Sequence, residues 1–161
     1  MLAGCASSDT GQDAPRDPGH AVVRMHGVVK RDSVRFELPL AVNQCGSGRG
    51  LLFHGAARGQ GILAWVRAAG AIDTGSYPLL TRGDSVTPRG ATVAIRYVTA
   101  DISHGLIVDN GLLQIAAARP PISARVRGVG LEPKEAEQFE VEITVSGVVS
   151  MGDTVTCRAQ P

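Results

Sequence analysis

From residue 21 onward, apolar and polar residues alternate with a period of two, the spacing that places successive side chains on opposite faces of an extended chain. Residues 33–43 show it most cleanly. Val34, Phe36, Leu38, Leu40 and Val42 form one set, and Arg35, Glu37, Pro39, Ala41 and Asn43 form the other. The pattern predicts a strand with one buried face. Pro39 falls in the outward set and, lacking an amide proton, predicts an edge strand or a bulge. Residues 138–146 repeat the pattern, with Phe139, Val141, Ile143 and Val145 inward and Glu140, Glu142, Thr144 and Ser146 outward. Further strands are predicted over 21–29, 51–54, 61–67, 76–81, 91–99, 105–108, 112–117, 122–130 and 154–158.

Turn signals separate these segments. Lys30-Arg31-Asp32 joins the first two, and Asp109-Asn110-Gly111 carries the Asn-Gly pair that suits a tight hairpin, because both residues accept positive φ. The one helical signal, over 132–138, is a single charged turn near Pro133, too short for a core helix. The succession implies an all-β fold: an antiparallel β-sandwich of about ten short strands, with a closed β-barrel as the alternative. Glycine, at 20 of 161 residues, exceeds its usual share of about 7% and fits a chain of many turns.

The aromatic residues are Phe36, Phe53, Trp65, Tyr77, Tyr97 and Phe139, so the core must be built mainly from Val, Leu and Ile. Trp65 shares a strand face with Leu63 and Arg67. It reads as a core or rim anchor and is also a possible ligand contact. A chain of 161 residues with 43% apolar and 19% charged composition supports one folded domain, assigned to 21–161. The formal net charge of +1 supplies no field that would attract nucleic acid, which is not expected as a partner. Lysine occurs only at Lys30 and Lys134, yet the arginines are scattered along the chain, and a GC-rich coding sequence accounts for the bias.

The chain opens Met1-Leu2-Ala3-Gly4-Cys5-Ala6-Ser7-Ser8. Leu2-Ala3-Gly4-Cys5 resembles the lipobox of bacterial lipoproteins. The resemblance implies that Cys5 is lipidated and becomes the first residue of the mature protein, and that residues 1–4 are the remnant of a signal peptide. The basic and apolar regions of a complete signal peptide are not contained in those four residues. Ala6, rather than Asp, after the lipidated position implies an outer-membrane location in a Gram-negative host. Residues 6–20 contain no large apolar side chain and cannot offset their ordering entropy, so 5–20 read as lipidated Cys plus flexible tether. The implied partners are the lipid bilayer, through acylated Cys5, and an envelope protein or glycan.

Setting Cys5 aside leaves Cys45 and Cys157, the natural disulfide pair of an exported domain, with two buried unpaired thiols as the alternative. No CxxC pair supports a zinc or redox site.

The remaining chemistry is sparse. His54 and His104 each precede a glycine, and Asp101 lies three residues before His104, but no third ligand stands at diagnostic spacing, and no metal is expected. His20 falls in the tether and His26 on the Arg24 side of a strand. There is no GxSxG elbow, and Gly46-Ser47-Gly48-Arg49-Gly50 lacks the Lys-Ser/Thr of a phosphate loop. Glu132, Glu135, Glu137, Glu140 and Glu142 read as a solvated acidic face. Arg82-Gly83-Asp84 matches an adhesive tripeptide but sits where turn residues are ordinary. Arg125 and Arg127, with Arg96 beside them, are possible contacts for an anionic ligand; cross-strand pairing with Glu140 and Glu142 is the simpler reading.

The expectation is therefore an envelope-anchored lipoprotein with a non-catalytic binding or structural β-domain, with no catalytic residue assigned and no cofactor. A small-molecule carrier with a barrel cavity is the alternative, and a hydrolase using His54 and His104 a weaker one.

Overall fold

The alternation of residues 33–43 is realised in β2 (Ser33–Cys45), flanked by β1 (Gly19–Gly27) and β3 (Gly50–Ala57). The computed structural model describes residues 18–46, 48–134, 136–149 and 151–157. Cys5, residues 1–4 and most of the expected tether lie outside the described residues. The chain continues through β4 (Gln60–Arg67), β5 (Gly75–Pro78), β6 (Gly90–Thr99), β7 (Ile102–Ala117), β8 (Ile122–Glu132), β9 (Glu137–Val148) and β10 (Gly152–Val155).

Eight strands form the ring β1-β2-β3-β4-β6-β7-β8-β9, each antiparallel to the next, and β9 returns to pair with β1. β1 is the closing element: Gly19–His26 pair with β2, and His20–Gly27 pair with β9, so it has no free edge. β5 pairs with β7 outside the ring, and β10 runs parallel to β2. The fold is all-β, and of the two architectures the alternation allowed, the closed barrel is adopted.

The inward-facing sets meet inside the ring. Val23, Phe36, Leu38, Leu40, Val42, Phe53, Val66, Val93, Leu106, Val126 and Ile143 are among the buried residues of one continuous hydrophobic cluster. An eight-stranded barrel is just wide enough for side chains to fill, and here aliphatic residues fill it. Tyr97 extends the packing toward one end, edge-on to Phe139 and stacked on His104.

Several local expectations are corrected. Asn110-Gly111 does not turn the chain. Segments 105–108 and 112–117 belong to one long strand, β7, interrupted by a register shift between Val108 and Asn110 against β8. Gly111 takes φ +139° opposite Gly128, and a Cβ on Gly111 would stand 2.5 Å from the Gly128 Cα. The Asn-Gly signal thus marks a bulge where two backbones approach closely.

Pro39 lies in β2, which is paired on both sides, but it sits beyond the last β2–β3 pair, Ala41 with His54. Its missing amide proton falls where only β1 is laddered to it. His20 is not in the tether but near the start of β1. Within 132–138, the helical signal resolves into strand ends: Glu132 closes β8 and Glu137 opens β9, around a tight turn.

The β10 strand is held to the barrel by the expected covalent link. Cys45 and Cys157 form a disulfide with Cα atoms 5.4 Å apart. The Asn43 side-chain amide also donates to the Asp153 carbonyl at 2.8 Å.

Candidate functional site

The inward set of every strand goes to the core, so any recognition must use the outer wall or the ends. The outer wall has two unlike halves, each set by strand register. On β8, β9, β1 and β2, Arg127 pairs with Glu142, Glu142 with Arg24, and Arg24 with Arg35, so four adjacent outward positions are all charged. On β4, β6, β7 and β8, Leu63 pairs with Ala94, Ala94 with Ile107, and Ile107 with Leu131, so the corresponding row is entirely apolar. Leu63 and Leu131 are substantially exposed. The charged row also runs through the outward band that a membrane-spanning barrel would present to lipid. Among the described residues no helix is long and apolar enough to cross a membrane.

The charged half is internally compensated. Arg125 and Arg127 both donate to Glu142 Oε1, and Arg24 lies 3.8 Å from its other oxygen. Hydrogen bonds first from Arg125 and then from Arg127 hold the Glu142 carboxyl below its usual range. Arg35 pairs with Glu37 at 3.2 Å. An open trough of about 760 Å³ lies along this half. Arg96 does not join Arg125 and Arg127. It projects from β6, across β7 from them, and its Nε donates to the Gly59 carbonyl.

The histidines do not assemble. His54 is exposed on β3 and donates from Nε2 to Asn43 Oδ1 at 2.5 Å. His104 is buried on β7, stacked on Tyr97, sharing a hydrogen bond with Thr99 at 2.9 Å through Nε2. Its Nδ1 faces Glu132 at 3.7 Å. One ring is therefore on the outer wall and the other inside the barrel end. Among the described residues no group of three His, Cys, Asp or Glu side chains is placed to hold a metal ion. Glu132 and Glu137, expected on a solvated face, are both buried; Glu132 in β8 and Glu137 in β9 fall in the inward set, two residues from Gly130 and Phe139 respectively. Glu140 does stay exposed, and Glu142 is partly covered.

Trp65 lies on the apolar half. It pairs with Leu52 on β3 and Thr92 on β6, in the outward set of β4. The Arg82-Gly83-Asp84 loop and Thr156–Cys157 also line a groove of about 490 Å³ over Leu52, Leu63, Trp65, Thr92, Ala94 and Ile107. This volume falls within the range of about 300–1,000 Å³ usual for ligand sites. The Arg67 guanidinium lies 5.4 Å from the indole centroid and donates to Asp84 Oδ1 at 2.9 Å.

Asp84 organises the loop above the groove. It accepts from the amides of Val86 and Thr87 and from the Thr87 hydroxyl, and its carboxyl is pushed down to about 2, chiefly by that hydroxyl. Its oxygens are thus committed internally, which leaves the Arg-Gly-Asp tripeptide without a free carboxylate to present. Beneath the loop, the Trp65 Nε1 and Arg67 Nε donors are buried without a hydrogen-bond partner among the described residues. Such donors are uncommon in folded proteins and call for an explanation.

Comparison with protein-family models, with curated proteins and with solved structures finds no match. The site is therefore read from its own chemistry.

Sequence reasoning offers Trp65 as a core or rim anchor and a possible contact, but not the groove around it. A signal was present: residues 62–66, Ile-Leu-Ala-Trp-Val, are apolar on both faces, whereas β2 and β9 alternate. A strand apolar on both sides faces a core on one side and something else on the other.

Proposed function

We propose that this protein is an envelope-anchored, non-catalytic binding module that works through the apolar outer wall of its barrel. The observation carrying the reading is the continuous Leu63–Ala94–Ile107–Leu131 row beside the Trp65 groove, on a barrel whose other half is charged. Contiguous exposed apolar surface rimmed by polar residues is the usual mark of an interaction site. The filled interior favours this wall over an internal cavity as the place of binding. Separation of His54 from His104 favours binding over hydrolysis.

The anchor is read from Leu2-Ala3-Gly4-Cys5, with Cys5 acylated and inserted in the bilayer. The Cys45–Cys157 bond supports an oxidising compartment, where disulfides persist. An envelope protein or a glycan remains a fitting partner class, and the balanced charge argues against nucleic acid.

The anchor is tested by the intact mass of the N-terminal peptide, from protein expressed from its native gene and purified out of native membranes. A peptide beginning at acylated Cys5 supports the reading. An unmodified peptide retaining Met1 and a free Cys5 thiol overturns the envelope assignment.

A further inference from the structure

Resting on that reading of the apolar wall, we propose that the Trp65 groove binds a carboxylate-headed, single-chain amphiphile. Two features fix the class. The floor of Leu52, Leu63, Ala94 and Ile107 is aliphatic, with Thr92 beside Trp65 adding a hydroxyl, so the body of the ligand must be largely apolar. The rim carries a net positive charge. Asp84 is matched by Arg67, whereas Arg82, which also lines the groove, has no ion-pair partner among the described residues.

An acyl chain along the floor with its carboxylate turned toward Arg82 satisfies both. A sugar leaves its many hydroxyls against a mostly aliphatic floor. A cationic amphiphile meets only the first requirement and is repelled at the rim. The groove continues onto the Ala94–Ile107–Leu131 row, so a longer chain stays on apolar surface as it leaves the site.

Trp65 is the sole tryptophan, so both its emission and its single indole N–H resonance report on this groove alone. The probes are decanoate and decyltrimethylammonium, each titrated below its micelle onset into the folded, disulfide-intact domain. The expected result is a saturable blue shift of emission with decanoate, a shift of the indole proton resonance as the chain packs beside the ring, and at least fivefold weaker binding of the cationic probe. Arg82→Gln, at an exposed loop position, is expected to weaken decanoate about fivefold or more while leaving the cation no weaker. Leu63→Gln is expected to weaken both. Absence of a saturable response, equal binding of the two headgroups, an unmoved indole proton, or undiminished binding by Arg82→Gln each overturns the proposal. If decanoate fails while a photo-crosslinker at Leu63 still captures a defined adduct in cells, the ligand class is wrong and the apolar-wall reading stands. If both fail, both fall.

Discussion

Glu132 and Glu137 stand directly opposite each other across β8 and β9, and both carboxylates are buried at the end of the barrel where the β8–β9 turn closes. Two buried acids at paired positions are unusual in a barrel lined with aliphatic side chains, and each has its own task. Glu132 faces the His104 ring at 3.7 Å. Glu137 reaches across to the β1–β2 connection and accepts the Val29 and Lys30 amides at 2.9 and 3.1 Å.

Glu137, on β9, therefore ties the turn between β1 and β2 to β9, beside the β1–β9 pairing that closes the ring. Glu137→Ala leaves those two amides without an acceptor and is expected to destabilise the domain by about 1–3 kcal/mol. Glu137→Gln keeps an acceptor oxygen and should recover part of the loss. Urea midpoints of the three proteins check this; an unchanged midpoint for the alanine variant contradicts it.

The close approach of β7 and β8 depends on the absence of a side chain at Gly128. A Cβ there would stand 2.3 Å from the Asn110 carbonyl oxygen. Gly128→Ala should force the strands apart and lower stability by about 1–3 kcal/mol. Gly105→Ala, at a β7 position where a Cβ meets nothing within 4 Å, should change stability by less than about 0.5 kcal/mol. Equal effects at the two sites, read by thermal or urea unfolding, would count against the bulge.

The disulfide spans 112 residues of sequence but attaches β10, which lies outside the eight-stranded ring. The Cys45→Ser/Cys157→Ser variant should lose on the order of 2–5 kcal/mol of stability, mainly through a freer unfolded chain. Its far-UV circular dichroism should remain that of a closed barrel, since no ring pairing uses β10. Loss of the β signal on removing both thiols would show that the ring depends on the staple.

Asp84 gives the groove loop a pH dependence with a defined sign. The Thr87 hydroxyl, with the Thr87 and Val86 amides and Arg67 adding, holds its carboxyl at about 2 against an ordinary 3.8. A folded-state value below the unfolded one contributes stability that is fully present above the unfolded value and is lost as pH falls from there through the folded value. The stability difference between wild type and Asp84→Asn should hold steady near neutral pH, narrow as the pH drops below about 4, and vanish only below about pH 2. Urea midpoints across that range measure it, and a gap independent of pH contradicts the role given to Asp84.

Much of the fold was legible because period-two alternation is a direct consequence of burial on one strand face. Residues 33–43 and 138–146 became β2 and β9 with the expected faces inward. Closure was less legible, since nothing local in β1 says that both its edges will be paired. Asn110-Gly111 misled because the same freedom at positive φ serves a hairpin turn or a bulge, and the difference lies in Gly128, seventeen positions away and across the ladder. Glu132 and Glu137 read as solvated because charge is usually exposed, although their parity with Gly130 and Phe139 places them inward. At the site, Arg125 and Arg127 met Glu142 as cross-strand logic anticipates. Trp65 was legible as an outward or rim residue, while the loop and the disulfide-held segment that make its groove arrive from residues 82–84 and 156–157, far along the chain.

The central claim is that the apolar wall is the working surface of the barrel. It is tested most directly by placing a photo-crosslinking amino acid at Leu63 or Ile107 on that wall, and at Thr144 or Glu140 on the charged wall, in the full-length protein in its own host cells. The account predicts a defined adduct, reproducible in mass, from Leu63 and Ile107 and none from Thr144 or Glu140. Adducts from the charged wall alone, or equally from both walls, would contradict it.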